Sequence, residues 1–396
     1  MPLRIVALTW NHAGLELPAS SAAALAAAVR GDAIESCDGG GDAADLVVVG
    51  AQECGQTAAA SALPFFWWWR LCGAQLPAAA ACAMWDARLA RALGPAYAAV
   101  GCARVGAVHV TLYAHARVAA LVRNVRVGAV ACGALRGMLS NKGAAGVACE
   151  VDGARLVFVA SHLAAHVSGV RARNEQFHAI DTALLAPHRS PARAHPASGV
   201  RWGRTARVAP SALDSSSGSE AEEDSGARAA GQSVPHTPHT AAGCARMPLA
   251  SRHDVVVWLG DLNYRVDATP CSRAQLCTAA ATGQLGALVE GDQLGRERAA
   301  GRAFGCYAEA PLEFAPTYKL RVGTGTAGAG GPRRYSQRRA PAWTDRVLFT
   351  SRAPVAVLRY MALEDAPALS LSDHRPVLAE LHVQLSAPAA APGVRG

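Results

Sequence analysis

Short stretches spread along this 396-residue chain each deposit an acid, an amide, an imidazole or an amine beside an apolar run. They are Asn11, Glu53, Lys142, His162, Asp261 with Asn263, Asp345, and Asp373 with His374. No Ser, Cys or Thr stands beside a matching His in a nucleophile elbow, so covalent acyl chemistry is not indicated. The set offers hard oxygen instead. Glu53 with Asn11 gives a few oxygen ligands, which suits Mg²⁺, an ion that keeps most of its waters and takes one or two carboxylates plus phosphate oxygens. The 11 cysteines are scattered singly, with no CxxC pair and no zinc spacing, so neither a disulfide framework nor a structural zinc is expected. A reducing, cytoplasmic location fits this usage.

Such side chains need rigid elements behind them. His253 to Arg265 reads HDVVVWLGDLNYR, and its β-branched run is the pattern of a strand buried on both faces, stopped by Gly260. Asp261 and Asn263 then sit at the strand's carboxyl end, where a loop leaves them reachable. On this segment alone, an Asx-turn closing a hairpin accounts for Gly-Asp-x-Asn equally well. Arg4–Trp10 and Leu46–Gly50 repeat the strand pattern and deliver Asn11 and then Gln52 with Glu53. Ser20–Arg30 reads as a helix between them. Further strands are expected at 105–113, 117–130, 145–151 and 155–160, helices at 171–185 and 271–289, and a strand entered through APAWTDRVLF. A final alternating strand follows the turn LSDHRPV.

Hydrophobic residues make up 51% of the chain and charged residues 17%, enough to bury a large core. The net charge of +8 favours anionic partners without choosing among nucleic acid, acidic membrane and phosphorylated small molecules. No apolar run has the length of a membrane span, the start is too short in apolar character for a signal peptide, and APGVRG carries no prenylation box. Membrane contact is therefore expected to be peripheral. Phe65–Trp69 places five rings in succession, which no helix or strand can bury on one side. They are either a core turn with a ring or two exposed, or a loop that dips into a membrane interface. From about 186 to 252 Pro, Ser, Gly, Arg and His dominate, with an acidic serine run, which is the composition of a flexible insertion. Strands outnumber helices and repeatedly end in polar residues. The expected architecture is α/β, a two-layer sandwich of mixed β-sheets flanked by helices, in one domain over residues 1–386 with 387–396 as a tail.

WLGDLNYR at 258–265 and RAPAWTDRVL at 339–348 resemble the two signature motifs of the inositol polyphosphate 5-phosphatases, members of the DNase I-like endonuclease/exonuclease/phosphatase fold. TWN, QE, SNKGA, SHLAAH, RN, PTYK and SDHRPV fall in that family's order. The resemblance implies Mg²⁺-dependent hydrolysis of the 5-phosphate from phosphoinositides or soluble inositol polyphosphates. It implies Glu53 and Asn11 as metal ligands with Asp373 beside them, and Asp261 as the group that orients and deprotonates the attacking water. Asn263, His162 and His374 would hold phosphoryl oxygens, with Asp345 pairing His374. Tyr318, Lys319 and Arg339 would grip the 4-phosphate, and Asn141, Lys142, Arg173 and Asn174 would serve the substrate nearby. The chain departs from many relatives at Gln337, where they carry Lys, and at Ala160, where several carry Asn. By the same resemblance PFFWWWRL, with Met138 and Leu139, occupies the place of lipid-contacting loops. A nuclease on the same fold would share Glu53, Asp261, Asn263 and His374, but PTYK, RAPAW and NKG supply cations for a compact polyphosphate and not for a long backbone groove, and no nucleic acid partner is expected. An inactive phosphoinositide-binding scaffold is the second alternative, against which every expected catalytic type is present.

Overall fold

The structure is a computed structural model that describes residues 1–31, 43–55, 78–132, 142–186, 206–207, 247–268, 271–322, 335–363 and 367–385. Phe65–Trp69, Met138, Leu139, Asn141, most of the 186–252 insertion and the 387–396 tail lie outside them. Twelve strands are described: β1 (Pro2–Asn11), β2 (Leu46–Gln52), β3 (Tyr97–Val105), β4 (Val108–His115), β5 (Val122–Ala131), β6 (Gly143–Val151), β7 (Ala154–His162), β8 (Ala206–Arg207), β9 (Val255–Asp261), β10 (Asp345–Ser351), β11 (Val355–Ala362) and β12 (Val377–Gln384). They form two six-stranded sheets, ordered β11-β12-β1-β2-β4-β3 and β10-β9-β7-β6-β5-β8. Both sheets are mixed: β1 and β2 run parallel, as do β7 and β9, while β12, β10 and the hairpins run antiparallel. This is the expected two-layer sandwich.

Alternation along each strand decides which side chain meets which layer. In β9, Val255, Val257 and Leu259 join Ile5, Ala7 and Val48 between the sheets. Val256 and Trp258 point the other way, onto Phe177 and Ile180 of a helix over Val170–Ala183. All seven residues of β9 are buried, which is why its sequence reads as one apolar run. The first sheet is covered on its outer face by α1 (Ala19–Arg30) and α2 (Ala78–Leu93), whose Leu25, Val29, Trp85 and Leu89 pack on Val6, Leu8, Val47 and Val49. After the four-residue α3 (Ala116–Ala119), the helix over Val170–Ala183 is α4, and α5 (Leu249–Arg252), α6 (Arg273–Thr282), α7 (Gly286–Glu290) and α8 (Gln293–Ala299) complete the set.

Several expected elements fall differently. The strand expected at 105–113 is the turn and second arm of a hairpin whose first arm, β3, turns at Gly106 with φ +55°. Residues 117–119 of the expected 117–130 strand are helical, within a short helix over Ala116–Ala119. The single helix expected at 271–289 breaks at Gly283, left-handed at φ +76°, into α6 and α7. The insertion's far boundary also moves inward, because Leu249 is fully buried among Phe177, Ile180 and Leu184.

The parallel pair β7 and β9 sets a tight constraint beside the site. Gly260 lies opposite Ser161 with φ +141°, and a Cβ there would come within 2.0 Å of the Ser161 carbonyl oxygen. Only glycine fits. Gly260→Ala should therefore cost at least ~2 kcal/mol in urea unfolding, whereas Gly94→Ala, at φ +88° with nothing within 4 Å, should cost only about 1 kcal/mol. Equal losses would show that backbone conformation alone, and not the approach of β7, demands glycine at 260.

Candidate active site

Strand register brings the polar residues to one end of the sandwich. Asp261 is the cross-strand partner of both His162 on β7 and Asp345 on β10. In the other sheet Asn11 ends β1 opposite Gln52, and Glu53 follows with φ +56°. His374 arrives from the turn before β12, held by its own N–H to Ser372 Oγ at 3.1 Å and by Trp10 Nε1 donating to its carbonyl at 3.2 Å. Ser372 Oγ in turn donates to the Asn11 carbonyl at 2.7 Å.

Asp261 is the hub. Its Oδ2 accepts from Asn11 Nδ2 at 3.0 Å and lies 3.2 Å from His162 Nε2 and 4.0 Å from His374 Nε2, while Oδ1 accepts the Asn263 N–H at 3.0 Å. Burial acts to raise its pKa, but His162, His374 and Lys142 together hold it well below the usual carboxylate range. Burial lowers the pKa of His162, and the Lys142 ammonium lowers it further. Lys142 Nζ meets His162 Nε2, and burial pulls that amine down to about 8. Asp261 and Lys142 thus compete for one ring nitrogen, leaving His162 Nδ1 buried with no protein partner. His374 behaves oppositely. Burial disfavours its charge, yet Asp345 Oδ2, 2.8 Å from Nδ1, and Asp261 raise its pKa to about 9. Thr317 and Thr344 donate to the same Asp345 oxygen at 2.7 and 2.9 Å, fixing the carboxylate against the ring.

Two groups of side chains present themselves to a cation. Ligand atoms of Asp261, Asp345 and His374 lie within 4.8 Å of one another, but His374 is protonated and has no lone pair to offer, so this triangle serves better as a hydrogen-bonded relay. The other group is Glu53 with Asn11 and Asp261. Asn11 Nδ2 donates to Glu53 Oε1 at 3.3 Å as well as to Asp261, and its Oδ1, which accepts from the Ala13 N–H at 3.0 Å, keeps a second lone pair. Two carboxylates and an amide oxygen form a hard donor set suited to Mg²⁺ or Ca²⁺.

Around this centre the structure sorts the remaining candidates. Tyr318 lies against His374 with ring centroids 4.5 Å apart. Lys319 stays at the rim, where its Nζ pairs with Asp373 at 3.2 Å. The Asp373 carboxylate, expected beside the metal, is here engaged by that lysine and adds negative charge next to His374. Arg339 is half-buried in a neighbouring cavity. Arg173 and Asn174 are also corrected. Arg173 is fully buried, donating to the Ala164 and His166 carbonyls and to Gln293 Oε1, and Asn174 is shared between Glu297 and the Tyr264 hydroxyl. Both side chains are thus held by the scaffold, although Arg173 Nε is left without a partner among the described residues. Tyr264 and Arg265 acquire roles in exchange: Tyr264 locks onto Asn174, and Arg265 donates to the carbonyl and side-chain oxygens of Asn263. The hydroxyls of Thr317, Thr344 and Ser372 escape sequence reasoning, because a threonine beside PTYK or AWTD carries no signal until register places it on a carboxylate.

The endonuclease/exonuclease/phosphatase family 2 model matches residues 8–380, and the chain belongs to that family. Inositol-1,4,5-trisphosphate 5-phosphatase 1 of Schizosaccharomyces pombe is 28% identical over 258 residues, covering 65% of this chain and 17% of that protein. Synaptojanin of Caenorhabditis elegans is 37% identical over 142 residues, covering 35% of this chain and 12% of that protein. The chain thus spans less than a fifth of either relative. Among solved structures, the inositol polyphosphate 5-phosphatase domain of a synaptojanin, in complex with inositol (1,4)-bisphosphate and calcium, shares the fold at a TM-score of 0.64 and 21% identity, covering 96% of this chain and 84% of that one.

The Asp345–His374 pair sets a pH signature. A raised pKa means that the imidazolium is favoured by folding, a contribution fully present below the unfolded value of roughly 6.5 and lost as pH rises through about 9. In NMR titrations of the metal-free protein the His374 ring should change state near 9, and Asp345→Asn should lower that midpoint by at least about one unit. An unmoved midpoint would remove Asp345 as the cause.

Proposed function

We propose that this protein is a phosphoric monoester hydrolase that removes the 5-phosphate from a phosphorylated inositol ring, as lipid headgroup or soluble inositol polyphosphate, with Mg²⁺ as cofactor. The carrying observation is the buried Asp261, ionised among His162, His374, Lys142 and Asn11 at the mouth of a family fold. The activities by which the similar proteins are known, an inositol-1,4,5-trisphosphate 5-phosphatase among them, support the substrate class. Glu53, the free lone pair of Asn11 Oδ1 and the nearby Asp261 would hold the ion, which when bound polarises a phosphoryl oxygen and stabilises the departing alkoxide.

The chain's own groups do the rest. Asp261, with its depressed pKa, is a weak base, suited to orienting the attacking water and taking its proton late; a loose phosphoryl-transfer transition state asks for little more. His374 stays protonated at neutral pH and places positive charge where phosphoryl oxygens gain negative charge. His162 Nε2, between Asp261 and Lys142, is the ring nitrogen that faces the centre and can turn to a substrate oxygen. Asn263 is fixed by its amide donating to the Leu163 carbonyl at 3.1 Å and by Arg265 on its oxygen. The expected behaviour is phosphate release that stops with chelator and returns with Mg²⁺. Asp261→Asn should lower kcat by ~100-fold or more while isothermal titration finds substrate affinity within a few-fold of wild type; retention of a tenth of the rate would contradict the role.

We further propose a cytoplasmic protein that acts at membranes by peripheral contact through Phe65–Trp69. Apolar side chains flanking the site loops support this: Leu15 after Asn11, Val167 after His162 and Leu371 before His374 are 40%, 46% and 37% exposed. Trp67→Ser, Trp68→Ser and Trp69→Ser together should reduce hydrolysis in liposomes by about tenfold and leave soluble inositol phosphate hydrolysis unchanged. An unaltered ratio between the two would sink the idea.

A further inference from the structure

Beside Glu53 lies a buried cluster that the chemistry above does not use. Cys54 follows Glu53 directly, and its N–H donates to the Ala107 carbonyl at 2.9 Å. Cys82, in the first turns of α2, packs into the same core between that helix and the first sheet. The two thiols meet, the Cys54 S–H donating to the Cys82 sulfur. One helical turn further on, Asp86 lies 2.9 Å from His109 Nε2 and accepts from the Thr111 hydroxyl at 2.7 Å.

This arrangement makes Cys82 the more acidic of the pair. The hydrogen bond from Cys54 lowers its pKa, and His109 and Arg104 do so too, against burial and Asp86. The same hydrogen bond, with burial, raises Cys54, which stays a thiol. A thiolate touching a thiol is the layout of an oxidisable cysteine with its resolving partner. Cys54 is 1% and Cys82 3% exposed, so hydrogen peroxide, close to water in size, suits them as oxidant where a bulky disulfide reagent does not.

We propose that Cys54 and Cys82 are a modification site, forming a reversible disulfide under hydrogen peroxide that weakens the hold of Glu53 on its divalent cation. The Cys82 thiolate attacks one peroxide oxygen, the O–O bond breaks and hydroxide leaves, giving a sulfenic acid. The Cys54 sulfur then attacks the Cys82 sulfur, the S–O bond breaks, and water departs with the Cys54 proton. The two thiols lose two electrons between them and the peroxide is reduced to two waters; a dithiol reductant reverses the change. The effect on Glu53 follows from position. An S–S bond is much shorter than the contact of two thiols, so one partner must move. Cys82 is clamped on α2, whose Trp85 and Leu89 are locked into the core, whereas Cys54 sits in the loop beyond β2. The shift therefore falls on Cys54 and, through the peptide bond, draws the Glu53 carboxylate away from Asn11 Nδ2, its partner at 3.3 Å. This consequence rests on the reading of Glu53 as a metal ligand.

The test compares the full chain reduced, treated with hydrogen peroxide, and reduced again with dithiothreitol. Peptide mass mapping of the oxidised protein should find Cys54 joined to Cys82. The link should be absent from Cys82→Ala and retained in Cys102→Ala, a cysteine exposed on β3. Calorimetric titration with Mg²⁺ should show affinity ~10-fold lower after oxidation, restored by dithiothreitol. Peroxide should leave the affinity of Cys82→Ala unchanged, and Cys54→Ala serves the same purpose if that variant folds poorly. Sulfinic acid without a cross-link, or a link to another cysteine, would overturn the disulfide. A Cys54–Cys82 link with unaltered Mg²⁺ affinity would overturn its coupling to Glu53. If the reduced wild type binds no Mg²⁺, the reading of Glu53 as a ligand falls and the coupling with it, while the mass mapping still judges the disulfide.

Discussion

A carboxylate with 2% of its side chain exposed does not remain ionised unless cations and donors replace the water it has lost, and Asp261 obtains them from five separate parts of the chain. His162 comes from β7, His374 from the turn before β12, Lys142 from the residue preceding β6, the amide of Asn11 from β1, and the Asn263 N–H from its own loop. Apart from Lys142 and His162, which flank the β6–β7 hairpin, and Asn263, which follows Asp261, these segments are far apart in sequence. The site therefore exists only when both sheets have closed, and charge neutralisation at Asp261 is as much a condition of the packed end of the sandwich as a feature of its chemistry. The same cations that stabilise the carboxylate depress its basicity, so the centre is built to orient and neutralise more than to abstract a proton early.

Register is the means by which this is achieved. His162, Asp261 and Asp345 are direct neighbours across three strands, so a slip of one residue in β9 would turn Asp261 onto the opposite face and bring Gly260 into its place. Two apolar layers hold against such a slip, because β9 buries Val257 and Leu259 on one face and Val256 and Trp258 on the other. The indole is pinned in addition, its Nε1 donating to Ser161 Oγ at 2.9 Å.

This also explains what was legible in the sequence. VVVWLGD announces a doubly buried strand and GDLN a loop beyond it, so the hub and its strand could be read directly. The other strands that feed the site were readable for the same reason, since β1, β2 and β7 are apolar and end in polar residues. Helix α2 is harder to read: Ala78, Cys82, Trp85, Leu89 and Leu93 form a buried stripe at helical spacing, but the alanines on its other faces blur the contrast between the two sides. β3 and β11 have partly exposed faces and read as ordinary surface. Arg173 misled for a different reason. A charged residue near the start of an amphipathic helix looks available, and only tertiary structure shows its guanidinium enclosed by two carbonyls and Gln293.

The adjacent pair Asp345–Arg346 shows how the chemistry is anchored to the scaffold. Neighbouring residues of a strand point to opposite sides, so Asp345 enters the site while Arg346 leaves it. Arg346 is fully buried and bonds Asp292 through one nitrogen and Glu309 through two others, at 2.6 to 3.1 Å. Burial would drive Asp292 towards its neutral form, and Arg346 opposes this. Asp292 is in turn the N-cap of α8, accepting the Gly295 N–H at 2.8 Å. Glu309 also accepts from the Tyr360 hydroxyl at 2.9 Å, which extends the same network to β11. Removing Arg346 would leave Asp292 buried without its cation and Glu309 with Arg298 as its remaining one, a far larger penalty than the pair's net worth. The dipeptide therefore joins two charge systems back to back: one faces the substrate, and the other fixes a helix cap, β11 and the strand on which the first depends.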